Sequence, residues 1–331
     1  MRTQSSRRSA WIDAARGIGI ILVVVAHAER GIIRAGMTAA TPLSFAIDGT
    51  IYAFHMPLFF LLAGLHVGRG LRAGRPAFMR DKLVTIVWPY FLWSVIYILL
   101  NVAVGAVNDP LGLANILSLP WHPVAHFWFL YALFLCHVVA VLLWPNRWLL
   151  AVATIVLALT WLTFGMINIV FQMGQMFPFF AIGLLAGPAI TGDGERLRRA
   201  APMLVAGGFL LLALSRLAMS EPALPPWVFA CCYYLGAIGG ISGVIGLSLV
   251  LGERLGWLRR IGQASMAIFV VHTFFAAGLR ISVMQLGLGV DHLLLLGLSS
   301  LFAIVCPWLL YEIAGRYGLN TVLGLGKFVR A

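Results

Sequence analysis

Residues 11–28 read WIDAARGIGIILVVVAHA, an apolar run that contains one aspartate, one arginine and one histidine. A helix needs about 20 predominantly apolar residues to cross the hydrocarbon core of a bilayer, and this run has nearly that length. A charged side chain near the centre of such a helix costs on the order of 2.5–3.5 kcal/mol, so it requires a partner, water or a role. The stretch therefore predicts a transmembrane helix whose polar residues serve a function.

The rest of the 331-residue chain has the same apolar character, with 61% hydrophobic residues, 10% charged residues and a mean hydropathy of +0.96. A soluble domain carries about 25% charged residues. The composition excludes an ordinary soluble globule, a disordered chain and a basic nucleic-acid-binding domain. The formal charge of +12 instead indicates cytoplasmic loops of a membrane protein. The cysteines have neither disulfide nor zinc spacing and are interpreted as small buried residues: Cys136, Cys231, Cys232 and Cys306.

Apolar stretches of about 18 residues or more recur along the whole chain. They lie near residues 11–28, 46–67, 83–104, 126–144, 148–165, 173–190, 201–219, 228–250, 263–285 and 291–312. No break between them is long enough for a soluble domain. We predict an all-α, polytopic membrane helix bundle with ten transmembrane helices. The predicted organisation is an N-terminal tail at 1–10, a transmembrane domain at 11–312 and a C-terminal tail at 313–331.

The basic residues predict the orientation of this bundle. With ten spans, 18 of the 23 Lys and Arg residues fall on one side and only Arg30, Arg34 and Arg216 on the other. Basic residues in short loops stay on the cytoplasmic side, so both termini are expected there. A signal peptide that ends at Ala26-His27-Ala28 is the alternative for the first segment. It would leave nine spans and reverse the charge distribution.

Polar residues of the first span share one face. Arg16 and His27 are 11 residues apart, which corresponds to three turns and about 16 Å along a helix. Asp13 lies one turn before Arg16 and can pair with it, and Gly17 and Gly19 allow a neighbouring helix to approach closely. The alternative for Arg16 alone is that its side chain extends to the inner interface.

Other polar residues are expected in the middle or the predicted outer half of the membrane. They are Asp48 and His55 on the second span, His126 and Trp128 at the start of the fourth, and His272 and Arg280 on the ninth. Together with His27, four histidines are then expected at a similar depth. They suggest proton transfer, because imidazole gains or loses a proton near neutral pH. A zinc site is the rival use. His122 and His126 have a suitable spacing but Pro123 interrupts them, so we expect no metal.

A cationic loop is expected on the cytoplasmic side. Residues 66–82, HVGRGLRAGRPAFMRDK, contain five cations and three glycines. The positive-inside rule or anionic lipid explains any one of these cations. As a group they also suit a phosphorylated ligand, because arginine binds phosphate in a bidentate fashion.

These residues together resemble the membrane-bound acyltransferase-3 family, and the first helix resembles its fucose 4-O-acetylase type. That family carries Arg, ten residues and His on its first helix, which corresponds to Arg16 and His27 here. Further similar blocks follow in family order: FHMPLFFLLAG (54–64), KLVTIVWPYFLWS (82–94), HFWFLYALFL (126–135), FPFFAIGLLAG (177–187) and IGQASMAIFVVH (261–272).

The resemblance implies an enzyme that takes an acyl group, usually acetyl, from cytoplasmic acyl-CoA and transfers it to a hydroxyl of a glycan or another acceptor. It also implies a bacterial inner-membrane location. Some relatives carry a C-terminal hydrolase-like domain. Only about 19 residues follow the last predicted span, so we expect none here. We expect acyl-CoA as a substrate and no permanently bound cofactor.

The predicted site residues form three groups. The catalytic residues are His27, Arg16 and His272, with His27 as general base or transient acyl carrier. The residues expected to bind acyl-CoA are Arg16, Arg69, Arg72, Arg80 and Lys82. The acceptor-binding or supporting residues are Asp48, His55, His126, Trp128 and Arg280. The thioester oxyanion is assigned to His272 or Arg280.

Two other classes of protein remain open. A proton-coupled transporter or flippase of a polysaccharide precursor also uses intramembrane His, Asp and Arg, although no internal repeat of five spans is evident. A scaffold subunit of a polysaccharide-assembly machine would leave the histidines without a use. The expected partners are acyl-CoA, a glycan or lipid-linked sugar, membrane lipids and polysaccharide-assembly proteins. Nucleic acid is not among them.

Overall fold

The chain is described by a computed structural model. The structure describes residues 4–105, 110–164, 169–192, 194–221 and 223–327. Helices account for every regular element in these ranges, and no strand occurs within them. The predicted all-α membrane bundle is therefore confirmed. The ends of both predicted tails, including Arg2 and Arg330, lie outside the described residues.

The helices follow one another with short connections. They are α1 Gln4–Arg34, α2 Pro42–Gly64, α3 Val67–Arg72, α4 Arg75–Lys82, α5 Trp88–Val104, α6 Ala114–Ser118, α7 Trp128–Leu143, α8 Arg147–Phe164, α9 Ile169–Gly192, α10 Gly194–Arg199, α11 Ala201–Ala218, α12 Pro226–Leu251, α13 Gly256–Gln263, α14 Ser265–Gln285 and α15 His292–Arg316. A π-helical turn at Leu83–Val87 leads into α5, and a 3₁₀ turn at Ala125–Phe127 leads into α7.

Nine helical segments among the described residues are long and apolar enough to cross a membrane. They are Ala10–Arg34, Pro42–Arg72, Arg75–Val104, Ala125–Leu143, Gln172–Thr191, Ala201–Ala218, Pro226–Leu251, Ser265–Gln285 and His292–Arg316. Each overlaps a predicted span. The predicted fifth span corresponds to the shorter apolar helix Arg147–Thr163. Ten spans and cytoplasmic termini stay predictions.

The helices form two compact units. The first comprises Met1–Gly19, Gly49–Lys82 and Ala132–Gly262. In it α11 packs against α12 and α8 against α9. Glycines allow the α11–α12 contact, because a Cβ on Gly208 would lie 2.6 Å from the carbonyl oxygen of Gly239. This is the small-residue packing that membrane helices use, since lipid provides no hydrophobic force between them.

The second unit comprises Ile20–Asp48, Leu83–Tyr131 and Gln263–Ala331. Its α14 and α15 pack against each other. The segment after α15 lies on α5, where the indole N–H groups of Trp88 and Trp93 donate to the carbonyl oxygens of Val322 and Leu323. Helix α1 begins in the first unit and continues into the second, so it contributes residues to both.

Candidate active site

Two histidines from helices that are distant in the chain meet in the second unit. His27 lies on α1 and His272 on α14, and Nδ1 of His27 is 2.8 Å from Nε2 of His272. The two rings stack nearly parallel, with their centroids 5.1 Å apart. His272 is completely buried and His27 is half-buried. The packing therefore holds both imidazoles in one orientation.

The backbone around His272 determines which nitrogen donates in this pair. Nδ1 of His272 lies 2.8 Å from the carbonyl oxygen of Phe269 and 3.0 Å from that of Ile268. A carbonyl oxygen only accepts, so the hydrogen of a neutral His272 is on Nδ1 and its Nε2 is an acceptor. Nδ1 of His27 must then donate to that acceptor. The proton-accepting lone pair of His27 is consequently on Nε2.

This geometry corrects the predicted oxyanion role of His272. Both of its ring nitrogens are already engaged, one with the backbone and the other with His27. His272 can therefore fix the tautomer and the orientation of His27, as a third group does for the base in a catalytic triad. This arrangement suits His272 to positioning His27 rather than to donating to a substrate.

His126 completes a group that we call the histidine cluster: His27, His126 and His272. Its ring centroid lies 5.9 Å from that of His27 and 5.1 Å from that of His272. The preceding Ala125 has a φ of +48°, a conformation that costs a non-glycine residue about 1–2 kcal/mol. The surrounding structure must compensate for this strain. The next residue, His126, is buried. Nε2 of His126 is buried and has no hydrogen-bond partner among the described residues.

Arg280 lies two helical turns after His272 on α14 and is nine-tenths buried. Its guanidinium lies against Gly31 of α1, where a Cβ would come within 2.4 Å of Nη1. It also interacts electrostatically with Tyr97, whose ring contacts that of His126 at 6.1 Å between centroids. The second unit thus brings four predicted residues into one neighbourhood: His27, His126, His272 and Arg280.

An ion pair and a glutamate–histidine contact occupy the end of α1 beyond the histidine cluster. The guanidinium of Arg30 holds the carboxylate of Asp48 through two hydrogen bonds of 2.7 Å each. Glu29 lies 3.1 Å from Nε2 of His292, the first residue of α15. Asp48, predicted to contact the acceptor, is therefore engaged with Arg30. Sequence reasoning missed both pairs, because each joins residues from separate helices.

Two further residues were predicted to bind or support the acceptor, His55 and Trp128. His55 belongs to the first unit, where its Nδ1 bonds to the carbonyl oxygen of Ile51 at 2.7 Å and its ring meets Tyr52 edge to face. Trp128 begins α7 and is half-buried. The expectation that four histidines gather is thus seen for three, and His55 lies in a different unit from them.

The first unit contains a cationic cluster, by which we mean Arg16, His66, Arg69 and Lys82. His66 lies within electrostatic range of the three other members. Sequence reasoning assigned His66 no role, although it is the first residue of the cationic loop. Asp13 lies 3.8 Å from Arg16, as predicted, and Asp81 lies 3.1 Å from Lys82. Two carboxylates offset part of the charge, and the cluster stays net positive.

The remaining cations of the loop have other surroundings. Arg72 and Arg80 are exposed on α3 and α4, and the guanidinium of Arg75 donates to the carbonyl oxygen of Trp144. Arg75 therefore ties the loop to the end of α7. Arg72 and Arg80, predicted to bind acyl-CoA, are accessible from solvent.

Close helix packing holds Arg16 in place. A Cβ on Gly262 of α13 would lie 1.7 Å from the carbonyl oxygen of Asp13, and one on Gly17 would lie 2.3 Å from that of Leu258. Helix α13 therefore rests directly on the backbone of α1, on both sides of Arg16 in the sequence. The predicted close approach at Gly17 is confirmed.

The described part of the chain contains no group of three or more His, Cys, Asp or Glu residues that could hold a metal ion. His122 is exposed whereas His126 is buried, so this pair does not face a common centre. The histidine cluster is better suited to hydrogen bonding and proton transfer than to metal ligation, since His272 uses both ring nitrogens.

Comparison with known proteins gives one family and two relatives. A family model described as an acyltransferase domain matches residues 9–312. Two proteins named nodulation protein NolL are each 28% identical to the chain. The protein from Mesorhizobium japonicum aligns over 186 residues, 55% of this chain and 48% of its own length. The protein from Sinorhizobium fredii aligns over 203 residues, 59% of this chain and 53% of its own. The chain thus spans about half the length of the curated relatives that it matches. No solved structure gives a significant match.

Proposed function

The chain belongs to the acyltransferase-3 family and is a multi-pass membrane protein, and we propose that it is a membrane acyltransferase that transfers acetyl from acetyl-CoA to a sugar hydroxyl. The proposed donor site is cytoplasmic, and the proposed acceptor is a cell-surface or lipid-linked glycan. The proposed location is the bacterial inner membrane.

The hydrogen bond from His27 to His272 is the observation that carries the proposal. It makes Nε2, rather than Nδ1, the nitrogen of a neutral His27 that accepts a proton. An unionised sugar hydroxyl is a weak nucleophile, so a positioned base is the minimum requirement for acyl transfer. When His27 takes up the proton, the resulting imidazolium still donates to Nε2 of His272, which stabilises it.

The cationic cluster is the proposed binding site for the phosphates of acetyl-CoA. Guanidinium and ammonium groups form strong, charge-assisted hydrogen bonds with phosphate oxygens. Arg16 belongs to this cluster and lies on the same helix as His27, 11 residues earlier. An extended pantetheine arm has the reach to run along α1 over the corresponding distance of about 16 Å.

The proposed reaction is a direct transfer of the acetyl group from coenzyme A to the acceptor. The acceptor oxygen bonds to the thioester carbonyl carbon while its proton passes to Nε2 of His27. The tetrahedral intermediate loses the carbon–sulfur bond, and the proton returns from His27 to the coenzyme A thiolate. Nε2 of His126, which has no hydrogen-bond partner among the described residues, supports a hydrogen bond between this side chain and bound substrate.

The test is acetyl-CoA turnover by the purified protein in detergent, without any gradient. Wild type is expected to release coenzyme A, His27→Ala to lose turnover by about 10²- to 10⁴-fold, and Arg16→Ala chiefly to weaken acetyl-CoA binding. Thermal unfolding of each variant verifies that it is folded. If wild type neither binds nor cleaves acetyl-CoA in the presence of candidate glycans, the proposal fails, and substrate flux across vesicles becomes the assay for a transporter.

A further inference from the structure

Arg280 is a buried cation without a counter-ion among the residues that the structure describes. Only 9% of its surface is exposed, and the described residues offer it an electrostatic interaction with the phenol of Tyr97 but no ion pair with a carboxylate. A charge in this position within a membrane helix is costly unless a partner or water offsets it. The described chain thus gives this charge a phenol but no carboxylate, which suits it to an anionic ligand.

Gly31 determines where this guanidinium lies. The absence of a side chain allows Nη1 to rest on the backbone of α1, in space that a Cβ would fill. Gly31 follows His27 by one helical turn, which is about 6 Å along the axis. The charge is thus one turn away from the proposed general base, in the same unit.

We propose that Arg280 binds an anionic group of the acceptor, a carboxylate or a phosphate close to the hydroxyl that is acylated. This inference rests on the proposed function and specifies its substrate class. A guanidinium pairs with either group in a bidentate fashion. Because one turn separates Gly31 from His27, the anionic group and the reacting hydroxyl belong to the same sugar or to its phosphate linkage. The acceptor is an acidic sugar or a sugar phosphate.

The proposal is tested by anion binding, which does not depend on turnover. The unfolding temperature of the purified protein is measured against glucuronate, glucose 1-phosphate and uncharged methyl glucoside, at constant ionic strength. Coenzyme A is kept at saturation so that the cationic cluster is occupied. A ligand that binds only the folded state raises the unfolding temperature in a saturable manner. Wild type is expected to respond to one anion or both, and not to methyl glucoside. A rise in unfolding temperature with glucuronate would identify a carboxylate in the acceptor, and a rise with glucose 1-phosphate would identify a phosphate.

Three variants localise the effect. Arg280→Gln is expected to weaken anion binding by about tenfold or more, because a charge-assisted pair is lost. Gly31→Ala keeps the charge but displaces the guanidinium, so it is expected to weaken binding as well. Arg216→Gln is the matched control, since Arg216 also lies over a glycine, Gly49, but in the first unit. It is expected to bind like wild type. Without ligand, Arg280→Gln is expected to be no less stable than wild type, because no native ion pair is removed.

Equal binding by wild type and Arg280→Gln, or no response of wild type to either anion, overturns the proposal. A variant that binds anions normally but hydrolyses acetyl-CoA slowly also overturns it, because Arg280 would then act on the thioester oxyanion. Failure of the proposed function gives a different result, in which anion binding persists but acetyl-CoA is not turned over.

Discussion

Nδ1 of His27 and Nε2 of His272 form a 2.8 Å hydrogen bond, although 245 residues separate them in the chain. His272 is anchored in turn by two backbone carbonyls of its own helix. The result is a directional chain in which His27 of α1 donates to His272 of α14, and His272 donates to the backbone of its own helix. The proton-accepting lone pair of His27 is therefore on Nε2. A histidine thus takes the part that a carboxylate takes in a Ser-His-Asp triad.

Replacing His272 is expected to disable His27 without affecting the donor site. His272→Leu removes the acceptor for the Nδ1 hydrogen, so the tautomer and orientation of His27 are no longer fixed. We expect kcat to fall by about 10²-fold or more while the KM for acetyl-CoA changes little. Steady-state kinetics over a range of acetyl-CoA concentrations separate the two parameters.

The conservative variant distinguishes positioning from simple packing. His272→Gln supplies an amide oxygen near the position of Nε2 and is expected to recover part of the activity that His272→Leu loses. If both variants are equally inactive although folded, or equally active, the positioning role is wrong.

The sequence predicted the class of fold and the separation into a cationic region and a histidine region, because both follow from local composition. Ten apolar runs and the spacing from Arg16 to His27 are visible in one dimension. The tautomer of His27 is not, since it depends on the backbone of a helix far along the chain. The pairing of Asp48 with Arg30 was missed for the same reason.

The part of His66 was missed for another reason. His66 follows His55 by 11 residues, a spacing that predicts a shared face on one continuous helix. The structure instead places His66 in the cationic cluster at the junction of α2 and α3. The helix ends there, so a helical projection no longer describes which residues are neighbours. Arg280 beside Gly31 is likewise a contact between helices that no single-helix pattern encodes.

The cationic cluster is expected to recognise the phosphates of the donor. Arg69→Gln and Lys82→Gln should each raise the KM for acetyl-CoA by about tenfold and leave kcat nearly unchanged, because each removes one charge-assisted contact. Each should also reduce the preference of the enzyme for acetyl-CoA over acetyl-dephospho-CoA. Initial rates with the two donors measure both effects.

Arg198→Gln is the control for these charge changes. Arg198 is also in a basic segment, but it is paired with Glu253 at 2.7 Å. The Arg198→Gln variant is expected to have the wild-type KM for acetyl-CoA. Unchanged donor kinetics in Arg69→Gln and Lys82→Gln, with weaker binding to vesicles of anionic lipid, would assign the cluster to the membrane surface instead.

Gly262 is expected to be essential for the packing that supports Arg16. A methyl group there would overlap the carbonyl oxygen of Asp13, so α13 must move away from α1. We expect Gly262→Ala to destabilise the protein by about 1–3 kcal/mol and to raise the KM for acetyl-CoA. Gly278→Ala is the matched control, because nothing lies within 4 Å of its added methyl group. Equal thermal stability of the two variants would contradict the packing argument.

The Arg30–Asp48 pair separates a structural role from the acceptor contact predicted for Asp48. Both hydrogen bonds are 2.7 Å long, and the side chains are 39% and 23% exposed, so solvent screens the pair in part. If the carboxylate only anchors α2 to α1, Asp48→Asn should lower stability modestly, and the exchange Arg30→Asp with Asp48→Arg should recover most of the loss. In that case acceptor KM stays near the wild-type value in the exchanged protein. A carboxylate that binds the acceptor cannot be replaced by an arginine at the same position, so a lasting loss of acceptor affinity at restored stability would return Asp48 to the acceptor site. A double-mutant cycle over wild type, Arg30→Asp alone, Asp48→Arg alone and the exchanged protein measures unfolding temperature and acceptor KM on the same four proteins.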